Sequence, residues 1–287
     1  MANAAHAELL NHEVYRTPFV VQPQFEYRDT PTNYRERFLG PGKLPDKMKV
    51  WRVQNSERGN VVASSYGFED SPDAEIIALG LNLGKDYGAI GIGRHGNFLQ
   101  WGYSDPPSQM TDAGKRLFLN CIYYIHRFDG KAPLVRTETS PRGLAMLRAA
   151  VLNRISGDKK EFFIVAFPER LWEKYHSDPN GLVAYYREDL ELVYWDKVFC
   201  VDNELKSLGI ASNRQVSSLQ RLVVLLSDES HASTAGKLLK RYTNVSFETP
   251  EQWRQWLEAS RDRIFFTDVG GYKFLVVPEG YLIGQKK

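Results

Sequence analysis

Hydrophobic and polar residues alternate along two stretches in the first half of the chain, and this alternation predicts β-strands. Residues 48–54 (MKVWRVQ) show the period of a half-exposed strand, and residues 60–66 (NVVASSY) predict the next strand. The apolar run at residues 76–81 is too short to decide between a strand and a short helix. Residues 1–47 contain five prolines, which exclude a long helix there.

Residues 87–102 (YGAIGIGRHGNFLQWG) combine a strand pattern with a group of polar residues. An apolar run is followed by the sequence GRHGN, and the apolar pattern then resumes. This order predicts a buried strand that ends in a tight turn, and the turn would lift Arg94, His95 and Asn97 out of the core. In open α/β sheets, polar residues beyond the carboxyl end of a strand are candidates for a ligand site.

A helix is predicted to begin at Thr111, a good N-cap residue, and to end near Gly130, which suits a helix C-terminus. The stretch at residues 131–141 has the prolines of a linker. Residues 162–167 predict a short strand or a buried link, whereas residues 190–201 fit no single state. Helices are predicted over residues 143–155, 168–175, 181–189, 202–208, 216–226, 232–242 and 250–261.

Two apolar runs, residues 263–267 and 272–277, are joined by DVGG and predict a closing β-hairpin. The pattern as a whole therefore predicts an α/β protein in two domains. The first, residues 1–131, contains a sheet with flanking helices. The second, residues 132–287, is mainly helical and ends in the hairpin.

Composition narrows the classes of partner. The chain has 287 residues, of which 43% are hydrophobic and 25% are charged, as in soluble globular proteins. A net charge of +2 predicts neither a nucleic-acid partner nor a membrane partner. The first residues lack the basic and apolar segments of a signal peptide, which predicts a cytoplasmic protein. Two cysteines cannot form a disulfide framework and lack metal-ligand spacing, so neither a metal site nor a cofactor is predicted.

Two groups of side chains are candidates for chemistry. In the first, His95 has the pKa range of an acid–base group, and Arg94 can bind an anion through two hydrogen bonds. The alternative is that both only fix the turn. In the second, Asp70, Asp73 and Glu75 can bind sugar hydroxyls or form an acid–base pair, although no calcium-loop spacing is present. Their alternative role is to cap a helix or to pair with Arg94.

Several common motifs are absent or lack their context. Gly91, Gly93 and Gly96 satisfy the G-x-G-x-x-G pattern, but the residues that follow do not form a helix pattern, so a nucleotide-binding loop is not predicted. The sequence SSYG at residues 64–67 lacks the G-x-S-x-G form of a nucleophile elbow. Both cysteines lie in apolar runs, which argues against a nucleophilic thiol.

The segment NHEVY at residues 11–15, the sequence GAIGIGRHGNFLQWG and the later MTDAGKRLFLNCIYYI occur in an order that resembles the C-terminal half of a ThuA-like domain. Those domains belong to the class I glutamine amidotransferase-like superfamily. The resemblance covers about residues 8–130 and aligns His12 and His95 with the two family histidines. Other segments are similar to large proteins of planctomycete-type bacteria.

This resemblance implies a partial flavodoxin-like sheet. The family's N-terminal strands have no counterpart in this sequence, which leaves room for a missing N-terminal segment or a partner chain. If a segment is missing, export is the alternative to a cytoplasmic location. The family's amidotransferase cysteine also has no counterpart, so the resemblance does not imply glutaminase activity.

The leading functional prediction is a ThuA-like protein that binds a small polar ligand, such as a carbohydrate, through Arg94, Asn97, Trp101 and His12. The second is a hydrolase or isomerase acting on a sugar derivative, with His95 paired to Asp70 or Asp73 as catalytic residues. The third is an interaction module whose helical region binds a partner. The sequence does not decide whether the protein is an enzyme.

Overall fold

The structure is a computed structural model, and it describes residues 4–6, 11–38, 42–57, 60–82, 84–85, 87–136, 139–155, 158–281 and 283. The chain divides into two compact units. Unit 1 comprises residues 1–134 and 280–287, and unit 2 comprises residues 135–279. The predicted division placed this boundary after residue 131.

Unit 1 is built on a six-stranded sheet in the order β2-β3-β1-β4-β5-β6. The helices of this unit are the short α1 (Thr32–Arg37) and the longer α2 (Asp112–His126), with 3₁₀ turns at Glu13–Tyr15 and Pro107–Gln109. The strands are β1 (Ala4–His6), β2 (Phe25–Asp29), β3 (Lys47–Arg52), β4 (Ala74–Gly80), β5 (Ile90–His95) and β6 (Phe98–Trp101).

The predicted α/β class is confirmed, with flanking helices, a mainly helical second region and a closing strand pair. The pairings between neighbouring strands of the sheet are antiparallel, whereas a flavodoxin-like sheet is parallel. The reason lies in the connections. Parallel strands need a crossover of a dozen or more residues, but only Gly96 and Asn97 separate β5 from β6.

The end of β5 differs from the predicted turn at GRHGN. The strand continues through Gly93 and Arg94 to His95, and Arg94 is fully buried instead of being lifted out of the core. The turn consists only of Gly96 and Asn97, between the paired residues His95 and Phe98. Gly96 has φ +56°, as the first central residue of a type II′ hairpin turn requires.

Residues 60–66, a predicted strand, form only an isolated bridge between Ala63 and Ile90. Residues 48–54 are largely confirmed as β3, which pairs with β2 on one side and β1 on the other. Residues 76–81, which the sequence does not assign to strand or helix, form the end of β4 up to Gly80. The strand pattern at 60–66 is therefore that of an extended segment along the sheet, with too few paired residues to make a strand.

Helix α2 begins as predicted, because the Thr111 hydroxyl accepts a hydrogen bond from the Gly114 amide. Leu117, Cys121 and Phe128 are buried in the core of unit 1, together with Trp51, Ile77 and Ile92 of the sheet. Ile122 of the same helix is 50% exposed. The helix therefore packs on the sheet through one narrow apolar stripe.

Unit 2 has its own core of apolar side chains from its helices and strands. Residues 162–167, predicted as a strand or link, begin within helix α4 (Lys159–Ile164). Residues 190–201 contain the hairpin of β7 (Val193–Asp196) and β8 (Val198–Val201), whose turn places Lys197 at φ +62°. The helices of unit 2 are α3 (Gly143–Val151), α4 (Lys159–Ile164), α5 (Trp172–Tyr175), α6 (Pro179–Glu188), α7 (Asn203–Ser207), α8 (Val216–Leu225), α9 (Ala232–Tyr242) and α10 (Pro250–Ser260). Short 3₁₀ turns lie at Glu169–Leu171 and Leu190–Leu192.

The strands of unit 2 form two hairpins, β7 (Val193–Asp196) with β8 (Val198–Val201) and β9 (Ile264–Thr267) with β10 (Lys273–Val276). The second is the predicted closing hairpin. Asp268, predicted to serve the turn, also accepts hydrogen bonds from the buried Arg142 guanidinium at 2.6 Å and 3.0 Å. Among the described residues, no helix is both long enough and apolar enough to cross a bilayer.

Candidate functional site

The register between β4 and β5 places Glu75 directly opposite Arg94. Arg94 Nε donates to Glu75 Oε2 at 2.6 Å, and Nη1 donates to the carbonyl oxygen of Gly96 at 2.7 Å. The guanidinium also lies over the Phe128 ring, 3.7 Å from its centroid. Because a buried charge needs a partner, the carboxylate explains how Arg94 stays in the core.

Two further groups face the Glu75 carboxylate. The Tyr124 hydroxyl donates to Oε2 at 2.7 Å, and His12 Nε2 lies 3.9 Å from the same oxygen. His12 Nδ1 accepts a hydrogen bond from the Val14 amide. In the neutral tautomer that fits this bond, the ring proton lies on Nε2, which faces Glu75. Burial alone would raise the pKa of Glu75, but His12, Arg94 and Tyr124 outweigh it and lower that pKa.

This cluster of His12, Glu75, Arg94 and Tyr124 is closed to solvent. Arg94 is fully buried, and Glu75 and His12 are each 5% exposed. Glu75 Oε1, Arg94 Nη2 and His12 Nε2 are buried without a hydrogen-bond partner in the described chain. Arg94 and His12, two predicted ligand-binding residues, are therefore engaged inside the protein, and the geometry supports a structural role for both.

His95, in contrast, reaches the surface. Its side chain is 26% exposed, while its Nε2 is shielded and lies 3.5 Å from Asp73 Oδ1. Asp73 is fully buried and accepts hydrogen bonds from the Ser71 hydroxyl, the Leu134 amide at 3.0 Å and the Tyr281 hydroxyl at 2.9 Å.

The groups around the Asp73 carboxylate determine its protonation state. Burial would raise the pKa of this carboxyl, but His95, Ser71 and the Leu134 amide together hold the pKa well below its ordinary value. Asp73 is therefore an anion beside the His95 imidazole. Asp70, the alternative partner predicted for His95, lies half-buried in the turn before β4.

The two remaining predicted ligand-binding residues lie apart, Asn97 close to His95 and Trp101 at the other end of β6, opposite Ile92. Asn97 lies in the β5–β6 turn, and its Oδ1 is buried without a hydrogen-bond partner in the described part of the chain. Trp101 packs edge-to-face against Phe118 and Tyr103, and its Nε1 is likewise buried and unbonded. Both side chains are half-buried, so neither presents a full polar surface to a ligand.

A groove elsewhere in unit 1 was not predicted from the sequence. It has a volume of about 590 Å³ and lies between residues 20–26, the end of β3 and the start of α2. It is lined by Val20, Gln22, Gln24, Phe25, Glu26, Arg52, Asn55, Thr111, Asp112, Ala113 and Arg116. The start of α2 was predicted, but its meeting with two distant segments depends on tertiary contacts that no local pattern encodes.

The polar groups of this groove are available to a ligand. The side-chain amides of Gln22, Gln24 and Asn55 are exposed and form no hydrogen bond with the described residues. Arg52 lies 3.6 Å from Glu26, and Arg116 donates to the carbonyl oxygen of Val20 at 3.4 Å. The groove therefore offers both donors and acceptors.

Neither cysteine has the character of a nucleophile. Cys121 is buried in the core, and burial raises the pKa of its thiol well above the ordinary value. Burial also raises the pKa of Cys200. Because the thiolate is the reactive form, burial disfavours a nucleophilic role for both side chains.

Fold and site together define an α/β protein with an antiparallel sheet, a sealed charge cluster at one sheet end and an open polar groove. Comparisons with protein-family models, with curated proteins and with solved structures gave no match. The resemblance to ThuA-like domains and to the amidotransferase-like superfamily therefore stays a prediction.

Proposed function

We propose that unit 1 binds a small, neutral, polar ligand such as a carbohydrate in the groove between residues 20–26 and the start of α2. The observation that carries this proposal is the groove itself, whose volume of about 590 Å³ falls in the range of small-molecule sites. The proposed ligand belongs to the class predicted from the sequence, but the proposed binding site does not include Arg94 or His12.

The charges of the groove favour a neutral ligand. The lining holds two arginines, Arg52 and Arg116, and two carboxylates, Glu26 and Asp112, so its own formal charges sum to zero. The free amides of Gln22, Gln24 and Asn55 each supply donors and an acceptor, which matches the hydroxyl groups of a sugar. Phe25 and Val20 add apolar contact area. The raised pKa of both thiols supports binding without glutaminase activity.

The proposal is tested by ligand-observed NMR of the full chain with a panel of neutral mono- and disaccharides and the corresponding sugar phosphates. We expect saturation transfer to neutral sugars and less transfer to the phosphates. Asn55→Ala should weaken binding by about 3- to 10-fold, because it removes hydrogen bonds worth about 1 kcal/mol. Asn244→Ala, the same substitution at an exposed position of unit 2, is the matched control and should change nothing. No binding, or binding unaffected by Asn55→Ala, contradicts the proposal.

A second candidate function is acid–base catalysis on a sugar derivative by His95, with Asp73 as its orienting carboxylate. The 3.5 Å separation of their side chains and the partial exposure of His95 favour it. We expect slow hydrolysis of chromogenic glycosides by the wild type and at least about a 100-fold loss of this activity in His95→Gln. Equal rates in wild type and variant would rule this candidate out.

A further inference from the structure

A groove of about 490 Å³ lies between α8 and α10 in unit 2. Its floor is apolar, formed by Val216, Val223 and Leu257 together with Val224, which is 57% exposed. Exposed single valines are common on protein surfaces. Here, however, the exposed valine adjoins other apolar residues in a concave surface that is bordered by charges.

Four residues of alternating charge line this groove along α10, namely Glu251, Arg254, Glu258 and Arg261. Their spacing of three, four and three residues places them on one side of the helix. All four are exposed. Glu251 and Arg254 form an ion pair at 2.8 Å, with side chains 63% and 51% exposed. The side chains of Glu258 and Arg261 have no partner within the described chain.

These four charges are arranged so that residues equally distant from the middle of the helix carry opposite signs. Glu251 lies five residues before Trp256 and Arg261 five residues after it, while Arg254 lies two before and Glu258 two after. When two copies of a helix pack antiparallel about a two-fold axis, residues equally distant from the centre on opposite sides face each other. Each glutamate of one copy then faces an arginine of the other.

We propose that the groove between α8 and α10 is a self-association surface, on which a second copy of this chain packs with its α10 antiparallel to the first. A two-fold interface uses the same patch on both copies, so its charges must be self-complementary. The opposite charges at equal distances on the two sides of Trp256 meet this requirement. A groove for an unrelated partner would not need its own charges to be self-complementary. The ion pair within α10 is a surface pair, so exchanging it for a pair between copies costs little.

Sedimentation velocity of the full chain over a concentration series tests this proposal. We expect the wild type to shift from monomer to dimer with rising concentration, and high salt to weaken the dimer because exposed charges are screened. The all-acidic variant Arg254→Glu/Arg261→Glu and the all-basic variant Glu251→Arg/Glu258→Arg should each be monomeric. An equimolar mixture of the two should form a heterodimer, and the fourfold swap should restore self-association.

The matched control is Arg187→Glu/Lys240→Glu, which changes net charge as the all-acidic variant does, on exposed positions of α6 and α9. It should dimerise as the wild type does. Circular dichroism checks that each variant is folded, since the like charges introduced on α10 cost only a few tenths of a kcal/mol per pair. A wild type that is monomeric at every concentration, or a dimer insensitive to the charge reversals, would overturn the proposal. The outcome is independent of ligand binding in unit 1.

Discussion

At the scale of single residues, Arg94 shows how a charge is kept inside unit 1. Glu75, opposite it on β4, supplies the counter-charge and is itself held by the Tyr124 hydroxyl, while the Gly96 carbonyl oxygen and the Phe128 ring complete the contacts of Arg94. The sequence predicts, as one alternative, that Arg94 pairs with one of the carboxylates at residues 70, 73 and 75. It could not predict which carboxylate, because the choice depends on the register between two strands.

Replacing Glu75 with glutamine should destabilise unit 1 by about 3 kcal/mol, because Arg94 is then left buried without its counter-charge. Urea unfolding of the full chain, with hydrogen exchange of the β4 and β5 amides, measures this loss. The matched control is Asp46→Asn, which breaks the exposed pair between Arg35 and Asp46 and should cost less than about 1 kcal/mol. Equal effects of the two substitutions would show that the buried pair is not important for stability.

The same comparison should depend on pH. The pKa of Glu75 is lower in the folded protein than in the unfolded chain, so its stabilisation is present above the unfolded pKa of about 4.3 and is lost as pH falls through the folded pKa. The difference in free energy of unfolding between wild type and Glu75→Gln should therefore be largest at neutral pH and should shrink below about pH 4. A difference that is constant from pH 7 to pH 3 would contradict this assignment.

At the scale of elements, the β5–β6 hairpin determines where Asp73 and His95 meet. A Cβ on Gly96 would lie 2.6 Å from Pro133 N and 2.7 Å from the Lys131 carbonyl oxygen, so only glycine fits the turn. The apolar pattern predicted the strands on either side of this turn. The pattern predicted that the turn begins at Gly93, because glycines and polar residues are typical of turns. The strand in fact continues to His95.

Gly96→Ala should destabilise unit 1 by about 3 kcal/mol, since it adds both positive-φ strain and a clash with the backbone of residues 131–133. Gly130→Ala is the control. Gly130 also has positive φ, at +74°, but a Cβ there meets nothing within 4 Å, so only the strain of about 1–2 kcal/mol is expected. The difference between the two midpoints of urea unfolding isolates the clash, and identical midpoints would refute it.

At the scale of the whole molecule, the sequence predicted the α/β class, the long helix α2, most helices of unit 2 and the closing hairpin. These features follow from local periodicity and capping, as the Thr249 capping box at the start of α10 illustrates. The antiparallel order of the sheet was not predictable, because it depends on pairing between segments distant in sequence. For the same reason the polar groove was missed, and its three segments come together only in the folded chain.

The location of ligand binding tests the central claim most directly. In a titration of isotopically labelled full-length protein with the neutral saccharide panel, followed by NMR, we predict chemical-shift changes at the side-chain amides of Gln22, Gln24 and Asn55. The signals of His95 and Asn97 should stay unchanged. Changes confined to His95 and Asn97, or no change at any saccharide concentration, would contradict the assignment of the groove as the ligand site.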